Sequence, residues 1–328
     1  MKKRILAIIL ALAVVCALGI SAFAADEETI VLRFGNNFVS DHPIVLGYNA
    51  MAERLAERTN GAVKFIQYPG EQLGNTNDCV NSVSTDTLDF TTGGVGMVAS
   101  RLAALKIYDC PYVFRDAEHM INFSYSDVAQ EMWDQLAKES NLRFMGVIYN
   151  GARYLTTTKV PVHTPADLNG LKLRVPDEPM GRAYGSAMGG TPTPMTFGEV
   201  YMGLSQGTID AQENPLTNII DGKLYEVEKY IMPTGHVLAT QALFMSEASW
   251  ERLSKEQQDI LQEEIRKTCD ELTKQIKDAE ASNLQFLLDQ GMELVEPDVA
   301  AFKEACSVVV DEYKDEWGED LYDIVQSF

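Results

Sequence analysis

The stretch GARYLTTTKVPVHTPADLNGLKLRVP, residues 151–176, decides how the rest of this chain is interpreted. Two arginines, Arg153 and Arg174, lie inside otherwise apolar, strand-like segments of it. In the second segment Lys172 and Arg174 alternate with apolar residues, so a strand would carry Arg174 on the face opposite its apolar side chains. An arginine in such surroundings needs an anionic partner.

A short turn joins the two segments. Thr164 can cap a helix, Pro165 suits its first position, Asp167 lies in its first turn and Gly170 ends it. We therefore expect both arginines to lie on rigid segments that one helical turn connects. Ordinary surface ion pairing remains the competing interpretation, because 48 acidic residues offer any arginine a partner.

The stretch resembles the signature region of the substrate-binding proteins of tripartite ATP-independent periplasmic (TRAP) transporters, the DctP-type family. The motifs that carry the resemblance are G-x-R-x-x-T-T around Arg153 and G-L-K-L-R-V-P around Arg174. The resemblance continues in PTPMTFGEVYMGLSQGTIDAQENP, residues 192–215. It extends more weakly to FGNNF near the start, to QYPGEQLG at 67–74 and to KLYEVEKYIMPTGHV at 223–237.

The resemblance implies an α/β periplasmic binding protein of two lobes, a Venus-flytrap fold with hinge strands and a long bridging helix. It also implies that Arg153 and Arg174 face the ligand and that Arg174 holds its carboxylate. The function implied is that of an extracytoplasmic receptor, which closes on a small carboxylate and delivers it to TRAP membrane subunits.

Two more ligand-binding residues come from the downstream block. Asn214 precedes Pro215, which favours an extended backbone, and in the family the asparagine of Q-E-N-P contacts the ligand. Phe197 follows the cap residue Thr196, and Glu199 completes a Thr-x-x-Glu capping box, so the ring lies at the start of a helix. The family's phenylalanine there lines the pocket. A turn asparagine and a core aromatic are the respective alternatives.

Two polar residues elsewhere complete the predicted site. Asn37 lies on the loop after the first predicted strand, where an open α/β sheet presents groups to a ligand. Gln241 lies inside the apolar run HVLATQALFM and needs a partner, either the ligand or hinge backbone.

Two positions differ from the sialic-acid binders of the family, which this chain resembles around 170–176 and 192–215. Those receptors carry an acidic side chain where this chain has Gly94, and an asparagine where it has Asp177. The differences disfavour sialic acid. A uronate, another sugar acid or a C4-dicarboxylate is the expected ligand.

The first 24 residues have the three parts of a secretory signal: basic MKKR, an apolar core and the cleavage motif Ala22-Phe23-Ala24. Cys16 follows two valines and makes a poor lipoprotein site, so we expect a soluble protein, periplasmic or otherwise extracytoplasmic. Without these residues 24 Lys and Arg face 48 Asp and Glu, a formal charge of −24. Such a surface disfavours nucleic acid and anionic lipid as partners.

The remaining pattern predicts successive βα units in two lobes. The predicted strands of the first lobe cover 30–34, 62–68 and 87–92, and the helices run through Met51 and Leu55 to near Gly61 and over 75–86. Lobe I is expected to comprise 25–150 plus about 240–279, and lobe II 151–239 plus about 280–328. The chain should cross between them on strands, near 147–153 and 237–245.

One long helix is predicted in the last third. Ser254 and Gln257 form a capping box, and an apolar stripe continues to a stop at Gly291. A helix of some 35 residues would span ~50 Å, enough to bridge both lobes. A plain packing helix is the alternative.

Motifs of catalysis and cofactor binding are missing from the sequence: it has no G-x-S-x-G, no H-E-x-x-H, no Walker loop and no C-x-x-C. TGGVGMV at 92–98 fails the dinucleotide spacing and predicts a tight loop. We expect no enzyme activity, no cofactor and no metal, and a monomer. An extracytoplasmic enzyme acting on a sugar acid and a sensory input module for a membrane kinase are the alternatives.

Four cysteines follow the signal sequence, in a compartment that permits disulfides. Local pairing would join Cys79 to Cys110 and Cys269 to Cys306. Reduced, buried thiols are favoured, because a chain of this size buries a core without covalent links.

Overall fold

The computed structural model describes residues 29–318 and 320–328, so the predicted signal peptide and its cleavage motif lie outside the described residues. Within them the strands are β1 (Ile30–Gly35), β2 (Val63–Tyr68), β3 (Phe90–Gly93), β4 (Leu142–Thr157), β5 (Lys172–Val175), β6 (Thr191–Pro194), β7 (Ala211–Pro215), β8 (Tyr230–Met232), β9 (Leu238–Ser246) and β10 (Glu293–Leu294). The helices are α1 (Pro43–Arg58), α2 (Thr76–Ser84), α3 (Ala117–Ser124), α4 (Asp127–Ser140), α5 (Pro179–Ala187), α6 (Val200–Ser205), α7 (Leu216–Asp221), α8 (Glu247–Glu251), α9 (Lys255–Asp289), α10 (Val299–Trp317) and α11 (Leu321–Ser327).

The strands form two connected halves, in the order β2-β1-β3-β9-β4-β7-β5-β6. In the first half β1 is parallel to β2 and β3, and β9 returns antiparallel to β3. In the second half β5 is parallel to β6 and β7, and β8 and β10 complete the sheet. This is the predicted α/β fold of two lobes.

Strand β4 joins the halves because its two ends have different partners. Its first part pairs with β9, from Leu142 opposite Ser246 to Ala152 opposite Leu238. Its last part, from Arg153 onward, pairs with β7. The segments predicted to cross between the lobes therefore lie on β4 and β9.

The predicted first-lobe elements are present with small shifts at their ends. The third strand begins at Phe90, three residues later than predicted. The reason is local: the N–H groups of Thr87 and Leu88 donate to the carbonyl of Ser82 and close the end of α2. Thr87 and Leu88 therefore belong to the end of the helix, and the strand starts after them.

Helix α9 confirms the predicted 35-residue helix and its capping box of Ser254 and Gln257. Near its start Glu264 pairs with Arg54 of α1, in the first lobe. Near its end Asn283 Nδ2 donates to Thr217 Oγ1 of α7, in the second lobe, at 3.3 Å. The helix thus contacts both lobes along one continuous axis.

The exact lobe boundaries remain a prediction. Helix α11 returns to the first lobe, where Gln326 Nε2 donates to the carbonyl of Val113 and Arg115 donates to that of Gln326. These contacts favour assigning the last helix to the first lobe.

The four described cysteines are buried free thiols, as favoured by the sequence.

Candidate functional site

The six residues predicted to bind ligand line one cavity of about 110 Å³. They are Asn37, Arg153, Arg174, Phe197, Asn214 and Gln241. The first lobe contributes the loops after β1 and β3 and strand β9 to the walls. The second lobe contributes β5, β7 and the segment before α6. A solute inside would contact both lobes.

Arg174 is deeply buried on strand β5. Its neighbours Leu173 and Val175 are fully buried, and Arg174 itself is only 3% exposed, so both faces of the strand are covered. Its Nε and Nη2 donate to the backbone oxygen of Met195, at 3.0 and 2.7 Å. Burial lowers the pKa of Arg174 to about 10, so it remains a cation near neutral pH. A surface ion pair does not describe this residue.

Arg153 lies on β4 in a closed network. Its guanidinium donates to both carboxylate oxygens of the buried Glu213 and, at 2.6 Å, to the Glu213 backbone oxygen. Glu213 also accepts from Tyr184 Oη at 3.2 Å and lies 3.1 Å from His236 Nε2. Burial alone would raise the pKa of Glu213, but Arg153 and His236 hold it down, to about 2. The charge of Arg153 is therefore largely balanced inside the protein.

Asn214 lies within a strand, whereas Phe197 lies at the start of a short helix. Asn214 is buried in strand β7, and its Oδ1 accepts from Arg153 Nη2 at 3.4 Å, so the turn interpretation is wrong. Phe197 begins a 3-10 helix, Phe197–Glu199, behind the predicted capping box of Thr196. Its ring lines the cavity and packs against a buried cluster that includes Val200, Leu204 and Ile219, and its contact with a solute remains a prediction.

Asn37 and Gln241 reach the cavity from the first lobe. Asn37 follows β1, as predicted, and is half-buried. Gln241 is buried on β9, opposite Ile148 of β4. Both residues line the cavity.

Sequence reasoning missed two buried carboxyl groups of the cavity wall, Asp109 and Glu178. Asp109 ends a 3-10 helix, Ala103–Asp109, and Glu178 is the residue before α5. An isolated acid in the apolar run KIYDCPYVF was the available signal for Asp109. Gly94 and Asp177 also line the cavity, so both departures from the sialic-acid binders fall at the site.

The glycine-rich segment after β3 forms a tight 3-10 turn, Val95–Val98, as predicted. Among the described residues no group of three or more His, Cys, Asp or Glu side chains is placed to hold a metal ion. Within the same ranges no helix is long and apolar enough to cross a membrane.

Known proteins share both the sequence and the fold. Residues 34–316 match the family model described as bacterial extracellular solute-binding protein, family 7, DctP. The sialic acid-binding periplasmic protein SiaP of Vibrio cholerae is 31% identical, over 94% of this chain and 95% of that protein. The 2,3-diketo-L-gulonate-binding periplasmic protein YiaO of Escherichia coli is 30% identical, over 93% of this chain and 92% of that protein. A TRAP periplasmic solute-binding protein of Chromohalobacter salexigens, solved with bound D-glucuronate, is 28% identical with a TM-score of 0.86, over 90% of this chain and 99% of that one.

Proposed function

Since this chain belongs to the bacterial extracellular solute-binding proteins of family 7, we propose that Arg174 holds the carboxylate of its solute in the cavity between the lobes. Asn214 and Arg153 supply further hydrogen bonds to that carboxylate. Phe197 covers the body of the solute from the second lobe, and Asn37 and Gln241 contact it from the first.

The protein is an extracytoplasmic receptor for a small carboxylate and acts with TRAP membrane subunits in secondary uptake. Its relatives are binding proteins of transport systems. We infer that this chain likewise has no enzymatic activity, and that it works as a monomer.

The two arginines have different hydrogen-bond acceptors, and this difference is the main support for the proposed site. Arg153 has a carboxylate partner, Glu213, whereas the acceptor of Arg174 is the neutral carbonyl of Met195. A buried guanidinium bonded to a neutral acceptor retains most of its attraction for an anion. Glu213 and Glu178 lie near enough to attract Arg174, but its hydrogen bonds go to Met195, so a solute carboxylate would be the anion that it bonds directly.

We expect the cleft to close on the solute, because the predicted contacts come from both lobes. Only a closed cleft lets one solute touch Arg174 of the second lobe and Gln241 of the first at the same time. A solute with more contacts in the closed form shifts the equilibrium toward it. The strands β4 and β9 and the bridging helix α9 would accommodate the movement.

A uronate or another sugar acid is the favoured solute, with a C4-dicarboxylate as the second candidate. The structural relatives include receptors solved with bound D-glucuronate and with bound L-galactonate. Gly94 and Asp177, at the cavity wall, replace the acidic residue and the asparagine of the sialic-acid binders. Sialic acid is therefore disfavoured.

A thermal-shift panel tests the solute class. It should include sugar acids, dicarboxylates, oxo acids and neutral sugars, and only carboxylated compounds should stabilise the protein. At a concentration 100 times the dissociation constant, the stabilisation is ~2.7 kcal/mol, which raises the melting temperature by a few degrees. Stabilisation by neutral sugars and not by acids would remove the role proposed for Arg174.

A further inference from the structure

We propose that Asp109 and Glu178 form a subsite for a cationic nitrogen, so that the preferred solute carries an ammonium group as well as its carboxylate. This inference rests on the proposed function, since it needs the carboxylate to lie at Arg174. It concerns the part of the solute beyond the carboxylate, which Arg174 does not contact and therefore cannot discriminate.

The two carboxyl groups come from different lobes and meet at one place. A Cβ atom built on Gly96 would lie 1.9 Å from Asp109 Oδ2 and 2.7 Å from Glu178 Oε2. Both oxygens therefore occupy the space over the Gly96 backbone, which a side chain at that position would fill. Asp109 is 6% exposed and Glu178 is 9% exposed, and both line the cavity.

The protein leaves this pair without a full set of partners. Within residues 29–318 and 320–328, Asp109 Oδ2 is buried without a hydrogen-bond partner, and the Gly96 N–H is the backbone group that favours the charged form of Asp109. Arg153 and Arg174 attract the pair from nearby, but their hydrogen bonds go to Glu213 and Met195 instead. Two buried carboxylates side by side repel each other unless a proton or a cation lies between them.

Burial favours the protonated form of both carboxyl groups. It raises the pKa of Asp109 to about 6, although Arg153 opposes the rise. It also raises the pKa of Glu178 well above its ordinary value, and the neighbouring Asp109 adds to the rise. A cation from the solute would reverse both effects and would replace a proton that the pair holds in the empty cleft.

An ammonium group fits these requirements better than a hydroxyl or a second carboxylate does. It has three donors and a full positive charge, so it can donate to Asp109 and Glu178 together. A sugar hydroxyl has one donor and brings no charge. A second carboxylate would add a third negative group to the pair, so the subsite disfavours C4-dicarboxylates.

Matched solutes test the subsite in the unmodified receptor. One set is 4-aminobutyrate, 4-hydroxybutyrate and succinate, and the other is D-glucosaminate and D-gluconate. Titration calorimetry in two buffers of different ionisation enthalpy gives the affinity and the protons released. In at least one set the amino compound should bind about tenfold more tightly than its hydroxy counterpart, with release of protons.

Variants then assign the preference to the pair. Asp109→Asn and Glu178→Gln should each remove most of the preference for the amino compound, measured as the ratio of the amino and hydroxy affinities within the same variant. Gly96→Ala should do the same by filling the shared space. Asp134→Asn is the control, because Asp134 is solvent-exposed on α4, accepts a hydrogen bond from Gln130 and does not line the cavity.

The outcomes separate the two proposals. If hydroxy acids or dicarboxylates bind as tightly as the amino compounds in both sets, the subsite is wrong and the carboxylate receptor stands. The same holds if the amino preference survives in both Asp109→Asn and Glu178→Gln. If no carboxylated compound binds the unmodified protein, the role of Arg174 and the subsite fail together.

Discussion

Arg153 and Glu213, on the neighbouring strands β4 and β7, form a buried ion pair in which the guanidinium donates to both carboxylate oxygens. This pair distinguishes two arginines that look equivalent in the sequence. The charge of Arg153 stabilises the junction of the two strands, close to where β4 passes from one lobe to the other. Arg174 donates instead to the neutral backbone carbonyl of Met195.

The first prediction concerns the stability that this pair provides. Glu213→Gln would leave the Arg153 guanidinium buried without its counter-charge, so the free energy of unfolding should fall by about 3–5 kcal/mol. Urea denaturation measures the loss. Glu247→Gln is the matched control: Glu247 also receives two hydrogen bonds from one arginine, Arg143, but at a partly exposed site.

The control should lose no more than about 1 kcal/mol, as is usual for exposed pairs. If Glu213→Gln costs no more than Glu247→Gln, the pair does not stabilise the junction. Arg153 would then be as available to the solute as Arg174 is.

The second prediction is a pH dependence that comes from Glu228. This residue is buried, and its Oε2 accepts from Thr156 Oγ1 at 2.6 Å and from Gln212 Nε2 at 3.3 Å. Burial nevertheless raises its pKa to about 8. Between its ordinary pKa in the unfolded chain, about 4.3, and that value, the folded protein keeps a proton that the unfolded chain has lost. Stability therefore falls as the pH rises through this window.

Glu228→Gln should remove that part of the pH dependence. As the pH rises from about 5 to about 9, the variant should gain about 4 kcal/mol of stability relative to the unmodified protein. Urea denaturation at both pH values measures the difference, and Glu226→Gln, at an exposed partner of Tyr201, is the control. A difference between Glu228→Gln and the unmodified protein that stays constant with pH would show that Glu228 is ionised in the fold.

The residues that the sequence identified share one property: their local segments determine where they lie. Arg174 is fixed by a strand between two turns, Phe197 by a capping box, and the long helix by its cap at Ser254 and its stop at Gly291. Hydrophobic period and turn chemistry are local signals, so they survive in a single sequence. The positions of these residues in strands, caps and helices could therefore be predicted before the fold was known.

Contacts between the lobes have no such signal. Asp109 and Glu178 are 69 positions apart in the chain, and they meet over Gly96, where a side chain would fill the space between them. The pairing of Arg153 with Glu213 likewise depends on the register of β4 against β7. Nothing in the spacing of these residues indicates which acid meets which arginine, although that pairing separates the roles of the two arginines.

The last prediction concerns the way Arg174 binds the carboxylate. A planar guanidinium can donate two parallel hydrogen bonds to a carboxylate, whereas a lysine acts as a single point of charge. Arg174→Lys should therefore lose nearly as much affinity as Arg174→Ala, on the order of 2–5 kcal/mol. Titration calorimetry with the acid that the panel identifies measures both losses. Circular dichroism should show both variants folded, and Arg101→Lys, at a surface arginine bonded to Asn81, should bind as the unmodified protein does. Unchanged affinity in Arg174→Lys would mean that Arg174 supplies only charge, and a two-bond contact with the carboxylate would have to be abandoned.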